Sequence, residues 1–209
     1  MRRARAGKLP GATRGWLCRA LLCATALCAG IAMARAATSA PAGLDQLLQL
    51  FAARRHGHVS FTEVHEFAML KHPLQSSGEL LYEAPDHLEK RTLSPRPETL
   101  TLDHGILTAQ RGQRSRQLAL NDYPQVVPFV ESIRATLAGD RAALERYFHV
   151  QFDGTLEDWS LLLTPIDPQV TRSVQQIRLA GSRELLHTVE IRLTDGDRSL
   201  LSIGPDISP

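Results

Sequence analysis

The chain has 209 residues, of which 43% are hydrophobic, and this length is enough for one domain with a sizeable core. The nominal charge of +2 is unevenly distributed, because the first 36 residues hold seven basic and no acidic residues. The rest carries a net charge of −5 and no cysteine. This argues against nucleic acid or an anionic membrane surface as main partner, and excludes a disulfide or a thiolate metal site there.

The N-terminal segment has the organisation of a secretory signal. A basic start precedes an apolar stretch over residues 16–33, which leads into the small-x-small tripeptide Ala34-Arg35-Ala36. We predict a signal peptide over residues 1–36, cleaved near Ala36, and one mature domain over residues 37–209. An uncleaved membrane anchor is the alternative. Each cysteine of the segment follows a leucine, which does not fit a lipoprotein signal, so we expect an unanchored monomer in the periplasm.

A helix and then a series of short strands follow. Helical spacing of Leu44, Leu47, Leu48 and Phe51 predicts an amphipathic helix that Gly57 ends. The period then shifts towards two, and a strand over residues 59–70 would place Phe61, Phe67 and Met69 on one face. Further strands are predicted over residues 78–83, 87–93, 98–102, 106–111, 114–120, 148–153, 158–164, 174–180, 186–194 and 199–203.

A helical insertion interrupts the strands. Asn121 and Asp122 are expected to cap a helix that begins near Pro124 and ends at Gly139, and Asp140 to cap a second, short helix. Short strands joined by tight turns predict a mainly β, α+β fold, a strongly curved antiparallel sheet or open barrel partly covered by helices. Many strands are apolar on both faces, so the second face could be plain core or line a cavity.

The search for chemistry finds no Gly-x-Ser-x-Gly, phosphate-binding glycine loop or His-Glu-x-x-His pattern. We therefore predict no enzyme activity, no catalytic residue, no metal and no cofactor. Several polar groups are interpreted as strand edges and turns: His56, His58 and His65; Asp103 and His104, expected to point apart; Glu63 and Glu66; Glu157 and Asp158; and Arg111, Arg114 and Arg116, a rim where a partner could also dock.

Two short motifs carry a resemblance. Ser60-Phe61-Thr62-Glu63 is followed by Gly78-Glu79-Leu80-Leu81-Tyr82, and Pro85 closes that strand. This order resembles the LolA-type periplasmic carriers of outer-membrane lipoproteins, over most of residues 44–205. The resemblance implies an incomplete barrel with helices as a lid over an apolar cavity. The cavity would hold lipoprotein acyl chains received from an inner-membrane transporter and passed to an outer-membrane acceptor, with no reaction catalysed.

Two departures from the family pattern leave the cargo open. Ala84 stands where the better-known carriers have arginine, and the usually aromatic next strand reads His87-Leu88-Glu89-Lys90-Arg91. The cargo could therefore be a lipoprotein or another lipid, such as a glycolipid. A β-rich interaction protein with a filled core is the alternative function. The positions expected to form the cavity wall or lid are Phe61, Phe67, Leu80, Tyr82, Leu88, Val130, Ile133 and Leu137.

Overall fold

Short strands linked by tight turns build the fold, as the alternating sequence pattern predicts. The computed structural model describes residues 40–123 and 126–207. Its strands are β1 His56–Glu66, β2 Leu74–Glu83, β3 His87–Ser94, β4 Glu98–Asp103, β5 Ile106–Arg111, β6 Arg114–Ala119, β7 Phe148–Thr155, β8 Asp158–Pro165, β9 Val174–Ser182, β10 Leu185–Leu193 and β11 Arg198–Asp206. Its helices are α1 Ala40–Ala53, α2 Val127–Ala138 and α3 Arg141–Tyr147, with a 3₁₀ turn over Leu120–Asp122. The predicted signal peptide lies outside the described residues.

All eleven strands belong to one antiparallel sheet, in the order β6-β5-β4-β3-β2-β1-β11-β10-β9-β8-β7. Consecutive strands pair with each other except β6 and β7, and β1 also pairs with β11. The two end strands, β6 and β7, leave the curved sheet unclosed. The predicted fold class, a curved antiparallel sheet or incomplete barrel with helices, is confirmed.

The helices end where the sequence provides caps. Gly139 follows α2 with φ +67° and ψ 23°, a left-handed conformation that suits glycine. A Cβ there would also collide with the backbone oxygen of Leu48 in α1, so Gly139 lets the two helices approach closely. Asp140 caps α3 by accepting a hydrogen bond from the backbone N–H of Ala143 at 2.9 Å. Both caps agree with the sequence-based predictions.

Three predicted boundaries are wrong. Helix α1 ends at Ala53, and Gly57 lies inside β1. Strand β1 ends at Glu66, so Phe67 and Met69 lie beyond it in the β1–β2 connection. Asn121 and Asp122 belong to the 3₁₀ turn and do not cap a helix. Helix α2 begins at Val127 and has Pro128 in its first turn, where a proline without a backbone N–H loses no hydrogen bond within the helix.

One half of the inner, helix-facing side of the sheet is filled. Helix α1 packs its leucines there, and the ring of Phe51 meets Trp159 edge-on with centroids 5.6 Å apart. Leu161, Leu163 and Leu179 beneath them are fully buried. The outer face carries ion pairs instead, as between Glu190 and Arg198. The stabilising core thus lies between α1 and strands β7–β10.

Candidate ligand-binding cavity

The other half of the inner face is not filled. A cavity of about 430 Å³ lies between α2 and the sheet, mainly against β1–β5, β10 and β11. This volume falls within the range of about 300–1,000 Å³ that is usual for ligand pockets. Its wall is mostly aliphatic and includes Val59, Leu80, Leu88, Leu100, Leu107 and Leu201, while Phe129, Val130, Ile133 and Leu137 close it from α2.

The strand register explains why the wall is apolar. Tyr82 of β2 lies opposite Leu88 of β3, which lies opposite Leu102 of β4, which lies opposite Leu107 of β5. Directly paired residues of neighbouring strands project to the same face, so these four side chains form one row across the sheet. The alternation of each strand therefore assembles an apolar surface from residues far apart in sequence.

Burial distinguishes the cavity wall from the core. Leu161 and Leu179 in the filled half have no exposed surface, whereas Leu80, Leu88 and Leu100 are only half-buried. In α2, side chains spaced by three or four residues face this wall, because such residues share one face of a helix. The inner face thus offers apolar area that the protein's own side chains leave partly uncovered.

A small polar cluster interrupts the apolar wall. The carboxylate of Glu63, 7% exposed, forms an ion pair with Lys90. It also accepts a hydrogen bond from the Ser199 hydroxyl at 3.0 Å and lies 3.1 Å from His65 Nε2. The Lys90 ammonium sits 5.0 Å from the centroid of the Phe61 ring, as in a cation–π contact.

Burial pushes the pKa of Glu63 upwards, but Lys90, His65 and Ser199 outweigh this effect, and its pKa lies below the ordinary value. Glu63 is therefore an ionised carboxylate within the wall. Its interpretation as a solvated strand-edge residue is wrong. It shares strand parity with Val59 and Phe61, and this parity was the signal that could have placed it on the inner face.

Tyr82 adds a second polar group to the wall. Its side chain is 6% exposed, and among the described residues its hydroxyl has no hydrogen-bond partner. Burial raises the pKa of Tyr82, while the nearby positive charges of Arg134 and Arg55 lower it less strongly. The hydroxyl is thus a neutral, buried group.

Comparison with known protein families gives a match over most of the chain. The family described as "Outer membrane lipoprotein carrier protein LolA-like" matches residues 34–204. The chain belongs to this LolA-like family. No curated protein matches the chain in sequence.

A search of solved structures finds similarities to this LolA-like protein at low sequence identity. The LolA superfamily protein NE2245 from Nitrosomonas europaea has a TM-score of 0.43 and 15% identity, over 80% of this chain and 92% of that one. In the Pseudomonas aeruginosa MucA/MucB complex the TM-score is 0.43 and the identity 14%, over 79% of this chain and 58% of that one. For a DUF1329 family protein from Desulfovibrio piger the TM-score is 0.43 and the identity 8%, over 80% of this chain and 93% of that one.

Six of the eight positions predicted for the cavity of the LolA-like protein lie together along it: Leu80, Tyr82, Leu88, Val130, Ile133 and Leu137. Phe61 is buried beneath Lys90 and does not line this cavity. Phe67 lies outside it, 36% exposed and stacked on His65. A role of any of these residues in ligand binding stays a prediction.

The other polar groups singled out from the sequence lie apart from the cavity or serve local contacts. His58 pairs with Glu79 at 3.2 Å. Asp103 and His104 do not point apart as expected, because His104 Nδ1 lies 2.7 Å from Asp103 Oδ1 within the tight β4–β5 turn. These two residues and Asp86 bring possible metal-ligand atoms within 4.8 Å of one another, in an exposed position. An exposed acidic group of this kind needs no ion.

An exposed apolar segment extends from the sheet of the LolA-like protein after β1. In this segment, which we call the apolar tip (residues 67–74), Met69 is 96% exposed and Leu70 51% exposed. Exposed apolar side chains grouped in this way often mark a contact surface. In the described part of the chain, no helix is both long and apolar enough to span a membrane.

Proposed function

We propose that this protein is a periplasmic carrier that shields the acyl chains of a lipoprotein or related lipid on the way from the inner to the outer membrane. The observation that carries the proposal is the apolar cavity of about 430 Å³ between α2 and the sheet. Family membership supports it, because the family is described by its lipoprotein carriers.

The physical case rests on the cost of moving hydrocarbon through water. Each buried methylene contributes about 0.8 kcal/mol, so a dozen methylenes contribute roughly 10 kcal/mol. A chain of that length needs a covered apolar path, and the half-buried leucines of the wall offer one. Aliphatic side chains bind such a chain by area rather than by fixed geometry, which suits cargo that must later be released.

Helix α2 is the proposed lid. Its Phe129, Ile133 and Leu137 face the cavity, and it joins the rest of the fold through connections at either end rather than through the sheet's hydrogen bonds. Displacing it would open the cavity without breaking a strand pair. Loading by a transporter in the inner membrane and unloading at an acceptor in the outer membrane belong to the same proposal.

Binding is tested on gently purified protein by mass spectrometry of organic extracts and by displacement of a fluorescent fatty acid. Ile133→Asp places a charge at the cavity and is expected to abolish probe binding while the protein still folds. The control is Ile166→Asp, the same substitution at a site that is 43% exposed and away from the cavity. It should bind the probe like the wild type.

A second variant covers the case in which Ile133→Asp does not fold. Leu80→Trp enlarges a half-buried wall residue towards the cavity, and we expect weaker probe binding with unchanged or higher thermal stability. Absence of co-purified lipid together with unchanged probe binding in both variants would contradict the carrier function. It would favour the alternative, an interaction protein without a lipid ligand.

A further inference from the structure

One end strand of the sheet, β6, has a free edge. Helices α1 and α3 pack against the other end strand, β7, whereas β6 packs mainly against β5. Just after β6, the backbone N–H of Leu120 points towards the β5 side, where it donates to the Gly105 oxygen at 2.9 Å. Backbone groups alternate in direction along an antiparallel strand, so those of Ser115 and Gln117 point away from the sheet. These outward groups have no partner among the described residues.

The same strand presents two positive charges without a counter-charge. Arg114 and Arg116 are exposed, and in the part of the chain that the structure describes neither guanidinium group has an ion-pair or hydrogen-bond partner. The nearby Arg111, in contrast, is paired with Glu98 at 3.0 Å. Alternate residues of a strand share one face, so Arg114 and Arg116 lie on the same face, about 7 Å apart along the strand. The free edge is therefore locally basic, although the chain beyond residue 36 is acidic overall.

Leu118 continues the pattern of this face. It lies opposite Leu107 of β5, which lines the cavity, so the two leucines project to the same inner face. Leu118 also shares its parity with the two arginines, but it is half-buried where they are exposed. A strand added beside β6 would therefore meet an apolar side chain and two positive charges at every second position. A segment with one apolar and two acidic residues in that spacing complements the edge.

The arginines disfavour the other occupants of such an edge. A second copy that paired through its own β6 would bring the arginines of two strands together, and like charges on paired strands are destabilising. An anionic membrane surface would attract the guanidinium groups but has no row of backbone groups to pair with Ser115 and Gln117. An extended acidic peptide satisfies both the backbone groups and the charges.

We propose that β6 is a docking edge for an extended acidic segment of a partner protein, which joins the sheet as an additional antiparallel strand. The backbone of the segment pairs with Ser115 and Gln117, and two of its carboxylates lie beside Arg114 and Arg116. An apolar residue of the segment covers Leu118. Neither arginine lines the cavity, so this surface is separate from it and the inference does not depend on the carrier function.

The test measures binding of a fluorescein-labelled peptide with the core Val-Thr-Glu-Thr-Glu, ordered for antiparallel pairing, by fluorescence anisotropy. The control peptide has lysine in place of both glutamates. Arg114→Glu/Arg116→Glu should weaken binding of the acidic peptide at least about tenfold, the effect of losing two exposed ion pairs. The matched control is Arg146→Glu/Arg172→Glu, the same change of charge at two exposed arginines outside β6, and it should bind like the wild type.

A proline tests the backbone pairing separately from the charges. Gln117→Pro removes an N–H that β5 does not use, so the melting temperature should stay unchanged while binding of the acidic peptide is lost. Gln117→Ala keeps this N–H and should bind like the wild type. In the wild-type complex, the amides of Ser115 and Gln117 should become protected from hydrogen exchange.

Three results with the peptides would overturn the inference: no binding of the acidic peptide, equal binding of the lysine peptide, or unchanged binding by a folded Gln117→Pro variant. If that variant does not fold, unchanged binding by Arg114→Glu/Arg116→Glu overturns it instead. A dimer in sedimentation that this double variant alters would assign the edge to a second copy, and binding to phosphatidylglycerol vesicles in place of the peptide would assign it to a membrane. The lipid-binding tests of the carrier function are independent of all these outcomes.

Discussion

Removing the Lys90 ammonium while keeping its hydrocarbon stem tests the polar cluster of the cavity wall. In Lys90→Met the side chain can still lie over the Phe61 ring, but Glu63 loses its ion-pair partner. The carboxylate stays on the inner face, where it is 7% exposed. An ionised group in that position without its counter-charge destabilises the folded state.

The structure sets the size of this effect. Breaking a fully buried ion pair from one side usually costs about 3–5 kcal/mol. Here the Lys90 side chain is 27% exposed, and Glu63 keeps the Ser199 hydroxyl at 3.0 Å and His65 Nε2 at 3.1 Å. We therefore expect a loss of about 2–3 kcal/mol in the free energy of unfolding near neutral pH, reduced from the fully buried case by solvent and by these partners.

The loss should depend on pH in a defined direction. In the wild type the pKa of Glu63 is depressed, so its stabilising contribution is present above the ordinary pKa of 4.5 and is lost as the pH falls through the folded-state value. In Lys90→Met, burial acts without Lys90, so the pKa of Glu63 rises relative to the wild type and the stabilising contribution of this carboxylate shrinks. The difference between the two proteins must therefore grow from acidic towards neutral pH.

Urea unfolding at several pH values measures this difference through the linear dependence of the unfolding free energy on urea. The control is the double variant Glu63→Gln/Lys90→Met, which removes both charges and should recover most of the lost stability. A loss below about 0.5 kcal/mol, or one of equal size at pH 4 and pH 8, would refute the assignment of Glu63 as a buried, ionised carboxylate.

Two further predictions concern the helices and the apolar tip. Gly139→Ala places a Cβ at a left-handed backbone position and against the backbone oxygen of Leu48. We therefore expect the free energy of unfolding, measured with urea, to fall by at least about 1 kcal/mol. The control Ala138→Gly should lower it by no more than the ordinary penalty for glycine in a helix. Met69→Ser should leave the melting temperature unchanged, because the side chain is 96% exposed. It should slow the transfer of a bound fluorescent lipid to neutral vesicles, and an unchanged transfer rate would show that the apolar tip has no role in delivery.

Local signals in the sequence were sufficient for most of the fold. Asp103-His104-Gly105 predicted the β4–β5 turn, in which His104 and Gly105 have positive φ, as such tight turns require. Gly139 and Asp140 predicted the boundary between α2 and α3 correctly. These signals act within a few residues, and the hairpin order of the sheet follows from them because nearly every strand pairs with its neighbour in sequence.

The polar cluster depended on contacts that local patterns do not contain. Glu63 and Lys90 lie 27 residues apart, on β1 and β3, and Ser199 reaches Glu63 from β11, which pairs with β1 although the two strands are far apart in sequence. Strand parity could have placed Glu63 on the inner face, but its neutralisation by Lys90 required the register of three strands. The Tyr82 hydroxyl has no hydrogen-bond partner among the described residues, and this too follows from packing, since the sequence shows only a tyrosine in a strand.

The separation of the filled half of the inner face from the open half has a consequence for how this protein can diverge. The residues that hold the fold together, such as Trp159 and Phe51, lie with α1 and strands β7–β10, whereas the half-buried leucines of the cavity wall, Leu80, Leu88 and Leu100, lie on β2–β4. A substitution at one of these leucines changes which molecule fits and removes less buried area than a substitution in the core, so its cost in folding is smaller. The architecture is therefore evolvable: new cargo preferences can accumulate on one side of the sheet while the other side preserves the scaffold.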